Sequence, residues 1–175
     1  MDRPSFVQVR VETPDDHRAI SELVYAAFRQ HPQDQPEVEP VEHRIVEALR
    51  RSGALTLSLV AESSDGLLGH VAFSSVRIDG VPSGWYGLGP LAVRPDRQRQ
   101  GVGAALVEDG LGRMRALPAA GVVLVGEPGY YGRFGFRPDP RLIFEGVPSQ
   151  YFLCLPFGDA VPIGVVTYHD AFSAA

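Results

Sequence analysis

Leu88-Gly-Pro-Leu-Ala-Val93 runs into Arg94-Pro-Asp-Arg-Gln-Arg-Gln100 and then into Gly101-Val-Gly-Ala-Ala-Leu106. The first stretch is apolar and strand-like. The second is polar, with proline as its second residue. The third begins a helical repeat with Val102, Leu106, Gly110, Met114 and Leu117 on one face and Pro118 closing it. A strand therefore delivers the chain to a loop that starts a helix. The first N–H groups of a helix have no partner within it, and the helix dipole adds partial positive charge, so the junction favours a bound anion. Gly101 and Gly103 carry no side chain where phosphates must approach the backbone, and Arg97 and Arg99 add mobile positive charge. A glycine-rich turn that merely starts a surface helix would read the same, so the flanking sequence has to decide. A dinucleotide fingerprint fits poorly, because Leu106 stands where a third small residue is needed. Gly87-x-Gly89-x-x-Ala92 is a decoy, since it contains Pro90 and no helix opens behind it.

Working towards the N-terminus, Trp85 to Val93 is an apolar run entered through a turn at Asp79 to Gly84. Leu55 to Ala61 and Leu67 to Ile78 read as strands joined by a hairpin at Ser63 to Gly66. Val41, Ile45 and Leu49 mark a short helix, and His31 to Pro40 is a proline-rich, acidic loop. An earlier helix is capped by Thr13, with Pro14, Asp15 and Asp16 in its first turn and Ile20, Leu23, Val24, Ala27 and Phe28 as its buried stripe. Phe6 to Val11 is a first strand. Towards the C-terminus, Gly121 to Val125 reads as a strand buried on both faces, followed after Pro128 by one helical turn through Tyr131. Arg141 to Glu145, Tyr151 to Leu155 and Val161 to His169 are further strands. The order βααβββαβαβ, with hairpins followed by a strand–helix–strand crossover, indicates an α/β fold on a mixed sheet.

The 175 residues suit one domain with one core, and 45% hydrophobic with 21% charged residues is a globular balance. Gly146 to Gly158 is uncharged but too short to cross a bilayer, and Met1 to Arg10 has no apolar signal region, so a cytoplasmic protein with no membrane partner is expected. One cysteine, Cys154, cannot build an internal disulfide framework. The formal charge of −5 argues against nonspecific nucleic-acid binding and suits a cationic acceptor. All sixteen basic residues are arginine, which removes every lysine-dependent mechanism. The five histidines include no pair at metal-ligand spacing, so no metal is expected, and no serine-hydrolase elbow occurs.

Gln98-x-x-Gly101-x-Gly103 after Leu91-Ala92-Val93, with Tyr131-Gly-Arg-Phe-Gly135-Phe136 about thirty residues on, resembles the GCN5-related N-acetyltransferases. Within that family the chain is most similar to the bacterial YhbS-type subgroup, which shares the Gly-Pro-Leu-Ala-Val strand, the Tyr-Gly-Arg-Phe-Gly-Phe turn and a third strand of the Gly69-His70-Val71 kind. The resemblance is strong from Gly69 to Pro138. It implies a sheet whose central strands splay apart, with the pantetheine of acetyl-CoA lying in the gap as an extra strand. It implies a single N-acetyltransferase domain over 1–175: a strand and acceptor-side helices in 1–52, the acyl-CoA-binding core in 85–136, and C-terminal strands in 137–175. Matched position by position, Leu91, Ala92 and Val93 would offer backbone groups to pantetheine, with the N–H of Leu91 towards the thioester oxygen. Gln98 belongs to the loop motif, and the N–H groups of Arg99, Gln100, Gly101, Val102, Gly103 and Ala104 would hold the pyrophosphate.

The reaction so implied is direct attack by an amine, of a small molecule or a protein, on the thioester. Such an amine is mostly protonated at pH 7, so its proton must be accepted, while the departing thiolate needs one back. Tyr131 matches the family's general acid. Read alone it is as readily a core tyrosine, and its neighbour Tyr130 reads as packing. The glutamate that some members carry four residues before the Leu91 position is Gly87 here. Glu127 and His70 remain as candidate bases beside a water relay, each with a structural role as its alternative. A noncatalytic acyl-CoA binder would keep the loop and need neither acid nor base, and a homodimer stays open.

Overall fold

The computed structural model describes residues 6–29 and 39–173. Of the loop read over His31 to Pro40, the part up to Val38 lies outside the described residues. β1 (Gln8–Val11) leads through a short 3-10 turn at Pro14–Asp16 into α1 (His17–Arg29), and α2 (Glu42–Arg51) precedes β2 (Leu55–Ser63), β3 (Gly66–Ile78) and β4 (Val81–Val93). α3 (Val102–Ala116) then crosses to β5 (Gly121–Val125), followed by α4 (Pro128–Tyr131), β6 (Arg137–Pro138), β7 (Leu142–Ile143), β8 (Phe152–Pro156) and β9 (Gly164–Thr167). Among the described residues the sheet has nine strands in the order β1-β2-β3-β4-β5-β8-β6, with β9 pairing both β3 and β7.

Alternation along the strands assigns the two faces. In β2, Leu59 and Ala61 pack in the core under α3 with Phe73, Leu106 and Met114, whereas Val60 faces Ile20, Val24 and Val46 of α1 and α2. The apolar stripe of α1 is buried as its spacing requires, with Val24 and Ile20 almost completely enclosed. β4 and β5 run parallel because α3 crosses between them.

The sequence expectations need correction at several element ends. The turn at Asp79 to Gly84 contracts to Asp79 and Gly80, both at positive φ (50° and 75°), so the strand starts at Val81. Two successive left-handed residues close a two-residue hairpin, and Asp-Gly is a pair that tolerates them. Leu117 falls just past the last turn of α3 and is 52% exposed instead of joining its buried face. Val125, at the end of β5, is 47% exposed, so only the first four residues of that strand are buried on both faces. The strands read over Arg141 to Glu145 and Val161 to His169 are only Leu142–Ile143 and Gly164–Thr167. β6 went unread; it pairs Arg137 with Cys154 and Pro138 with Leu153, and its proline is tolerable at a sheet edge.

Thr13 and Asp16 behave as the capping pair the sequence suggests, the Thr13 N–H donating to the Asp16 carboxylate at 2.7 Å. Arg10 adds bonds to both Asp16 oxygens (2.7 and 3.0 Å) and both Glu62 oxygens (2.8 and 3.0 Å), tying β1, β2 and the start of α1 together. The Arg10 guanidinium is the main cause that holds the Asp16 carboxyl down to about 2. A folded-state pKa below the unfolded value stabilises above the unfolded pKa and is lost as pH falls through the folded one. Asp16→Asn is expected to cost roughly 1–2 kcal/mol at pH 7. In urea unfolding, that difference from the parent chain should shrink as pH is lowered from about 4 towards 2.

Candidate active site

The decisive geometry is where β4 leaves β5. The pair is in register at Trp85↔Gly121, Tyr86↔Val122 and Gly87↔Val123, and there it ends, although β4 continues to Val93. Just beyond, β4 shifts register against β3 between Leu91↔Val71 and Leu88↔Phe73, so it carries one extra residue. Gly89 absorbs the bulge at φ +145°, a conformation open to glycine, and Pro90 beside it carries no N–H.

The side to which each backbone group points follows from one bond. The Arg94 N–H donates to Leu68 O at 2.8 Å, so Arg94 faces β3. Along a strand the direction alternates, which turns Ala92 towards β3, opposite His70, and turns Leu91 and Val93 into the gap. Of the three residues expected to offer backbone groups there, Ala92 is therefore corrected: its amide belongs to the β3 ladder and its side chain to the α1 core.

Beyond Val93 the loop is braced from several sides. Arg94 bonds Asp96 (2.7 Å) and the Asp65 carbonyl (3.1 Å), Arg97 pairs with the Asp65 carboxylate, and Gln98 Nε2 reaches Val93 O at 3.3 Å. Gln100 Nε2 reaches Asp96 O at 3.4 Å. Arg97 is therefore a tether and not the mobile cation its position suggested. Arg99 is at φ +62°, a strained conformation for a side-chain-bearing residue, and Gly101 follows at φ +86°. The first helical bond is Ala105 N–H to Gly101 O at 3.0 Å, which leaves the N–H groups of Val102, Gly103 and Ala104 pointing out of the helix end.

A cavity of about 420 Å³ opens on these groups. Its walls include Val93, Gln98, Arg99 and Gly101 to Ala104, and also Tyr130 and Arg133 from the opposite side. Tyr130, which the sequence reads as packing, thus also lines the cavity, and Arg133 was not singled out although it sits inside the Tyr-Gly-Arg-Phe turn. Arg133 lies 4.7 Å from the Tyr130 ring centroid, and among the described residues neither it nor Arg99 has a carboxylate partner.

A second cavity, of about 360 Å³, lies at the other end of the gap. Leu88 to Leu91 form one wall, Val125 and Tyr131 a second, and the aromatic rings of Phe144, Tyr168 and Phe172 a third, with Glu42 at its edge. Tyr131 packs edge-on against Tyr130 (4.9 Å) and Phe136 (6.1 Å), and burial pushes its phenol up to about 12. Its hydroxyl has no hydrogen-bond partner among the described residues. Glu127 is exposed, and its carbonyl accepts from the Tyr130 and Tyr131 N–H groups (3.1 and 3.0 Å), so it organises the turn that carries both rings. His70 is fully buried and bonded to Ser58 Oγ at 2.7 Å, and burial lowers it to about 4. Neither candidate base lines either cavity. Cys154 is buried in β8, and burial pushes its thiol up to about 11, as suits packing.

A mixed sheet that parts at its centre, with a glycine turn and helix end at one side of the gap, is the fold of the acyl-CoA N-acyltransferases. The model of the acetyltransferase (GNAT) domain matches residues 8–138. Over 172 residues the chain is 35% identical to the uncharacterized N-acetyltransferase YhbS of Escherichia coli strain K12, covering 94% of this chain and 98% of that one. Among solved structures, a GNAT family acetyltransferase from Brucella melitensis in complex with acetyl-CoA is 45% identical with a TM-score of 0.83, over 96% of this chain and 99% of that chain. YhbS from Escherichia coli in complex with CoA is 33% identical with a TM-score of 0.87, over 99% and 95%. The chain belongs to the GNAT acetyltransferase family.

Gly87 has a reason of its own. A Cβ there would run into the Tyr168 ring, which occupies the space that a side chain on this strand would need. Gly87→Ala is expected to cost roughly 1–3 kcal/mol by overpacking. In a double-mutant cycle by denaturant unfolding, Tyr168→Ala should remove most of that cost.

Proposed function

We propose that this protein transfers an acetyl group from acetyl-CoA to an amine by direct attack, with the cofactor laid along β4 between the two cavities. One observation carries the reading. Neighbouring residues divide between the cavities: Val93 and Tyr130 line the one at the helix end, Leu91 and Tyr131 the one beyond it. A single extended molecule can therefore reach both.

In this reading the free N–H groups of Val102, Gly103 and Ala104 hold the pyrophosphate, with the backbone of Arg99 to Gly101 shaping the turn and Arg99 and Arg133 supplying charge. Gln98 and Gln100 act through the loop, since their amides brace its backbone. Leu91 and Val93 bind pantetheine, and the Leu91 N–H meets the thioester oxygen, where a fixed donor is worth on the order of 3 kcal/mol as negative charge develops. Tyr131 keeps its proton throughout the neutral range, which fits an acid and excludes a resting base. Full transfer to a free thiolate, whose ordinary pKa is about 8.5, would be uphill, so the phenol hydrogen-bonds the sulfur as the C–S bond breaks. The nitrogen that has just become positive then passes a proton to Tyr131 as Tyr131 passes its own to sulfur, so no phenolate is formed.

Acetyl-CoA is expected to raise the melting temperature well above any shift from adenosine alone. Gly103→Glu should abolish the acetyl-CoA shift while leaving the unliganded melting temperature near its parent value, because it sets a like charge among the phosphates. Its Cβ would meet the mobile end of Tyr130, the hydroxyl, at 3.0 Å and Val93 Cγ2 at an ordinary 3.6 Å. Tyr131→Phe should lower kcat by about 10²-fold with acetyl-CoA affinity held within a few-fold. Thiol release across a panel of amines is the direct test. A chain that binds acetyl-CoA and turns over none of them would be a binder and no transferase.

A further inference from the structure

Resting on that reading, we infer that Glu42 receives the ammonium of the acceptor and that the acceptor is a primary amine on an uncharged aryl or alkyl body. Glu42 is the one charged side chain among the described residues that line the cavity beside Leu91 and Tyr131. It lies in the first turn of α2, half-buried, and among the described residues only its Oε2 is engaged, accepting from the Val41 N–H at 3.0 Å. The other described residues that line the cavity are apolar or aromatic, with Tyr168 packed at steep ring angles between Phe144 (5.1 Å between centroids) and Phe172 (5.0 Å). A carboxylate facing such a wall selects a cation, and ring faces attract an ammonium while covering an apolar body. A second carboxylate on the acceptor would be repelled by Glu42, and a second ammonium would meet no further anion among the described residues of these walls. The volume of about 360 Å³ suits a small amine and not a folded surface.

Glu42 also closes the proton balance. Its carboxylate takes one proton from the ammonium, and the freed lone pair forms the C–N bond to the thioester carbon. The C–S bond then breaks with its electrons on sulfur, which is hydrogen-bonded by Tyr131. As the nitrogen passes its surplus proton to Tyr131, Tyr131 passes its own to sulfur, and Glu42 loses its proton to water. Amide, free CoA thiol and one released proton result. Neither Glu127 nor His70 is needed for this sequence.

The test uses phenethylamine as probe and phenylalanine as its carboxylated counterpart. Wild-type thiol release at saturating acetyl-CoA should favour phenethylamine over phenylalanine at least ~10-fold in kcat/KM. Glu42→Gln should lower kcat/KM for phenethylamine about 10²-fold, with the acetyl-CoA melting shift unchanged as the control for folding. Calorimetry of phenethylamine binding to the CoA complex should show affinity weakened at least ~10-fold by the same change. Equal binding and turnover in the two proteins would overturn the assignment of Glu42. Faster turnover of carboxylated amines or polyamines would overturn the acceptor class while leaving the transferase reading intact. Absence of turnover with every amine would remove that reading instead, and the binding comparison would still decide whether Glu42 holds an ammonium.

Discussion

The parting of β4 from β5 after Gly87 and Val123 is the constraint on which the rest of the molecule turns. Backbone N–H and C=O groups at the centre of a sheet cannot be left without partners, so a gap there has to be met by water or by something that behaves as a strand. Two neighbouring residues mark the point of parting. Gly89 takes the bulge that shifts β4 by one residue against β3, and Pro90 beside it carries no N–H. The strand survives because its other edge is fully used, with β3 paired as far as Gly69↔Val93. The sheet is thus stable on one side of β4 and incomplete on the other, and the incompleteness faces the two cavities.

What surrounds the gap is arranged to keep it in shape without filling it. The loop after Val93 is tied to the β2–β3 turn through Asp65, so the helix-end amides are held in place before any anion arrives, and less freedom is lost on binding. Across the gap, the short turn of α4 sends two adjacent tyrosines to different cavities, because successive residues of a helix lie about 100° apart around its axis. The Glu127 backbone carbonyl anchors both, while its side chain stays in solvent.

The sequence was legible wherever the information is local. Val102, Leu106, Gly110 and Met114 repeat at helical spacing and are buried on α3, and Thr13 with Asp16 marks a real helix start. The glycine turn could be read because its amides are consecutive in the chain. The second cavity could not, since Glu42, Leu91, Tyr131 and Tyr168 come from four distant segments that only the sheet order assembles. Ala92 shows a different limit. Which way its amide points depends on the bond from Arg94 to Leu68, a matter of strand pairing that no motif encodes. His70 looked chemical because histidine titrates near neutrality; burial against Ser58 is a property of the folded core. Tyr168 explains Gly87 only in retrospect, as a ring from the far end of the chain.

The cations at the braced loop are all guanidinium groups, as are all the basic side chains of the chain. An arginine stays protonated at any physiological pH and has no lone pair to offer a carbonyl carbon. Under the proposed reading, the charge that Arg99 and Arg133 present to the phosphates at the helix end is therefore independent of pH, and any pH dependence of the reaction arises at the other cavity, beside Leu91 and Tyr131.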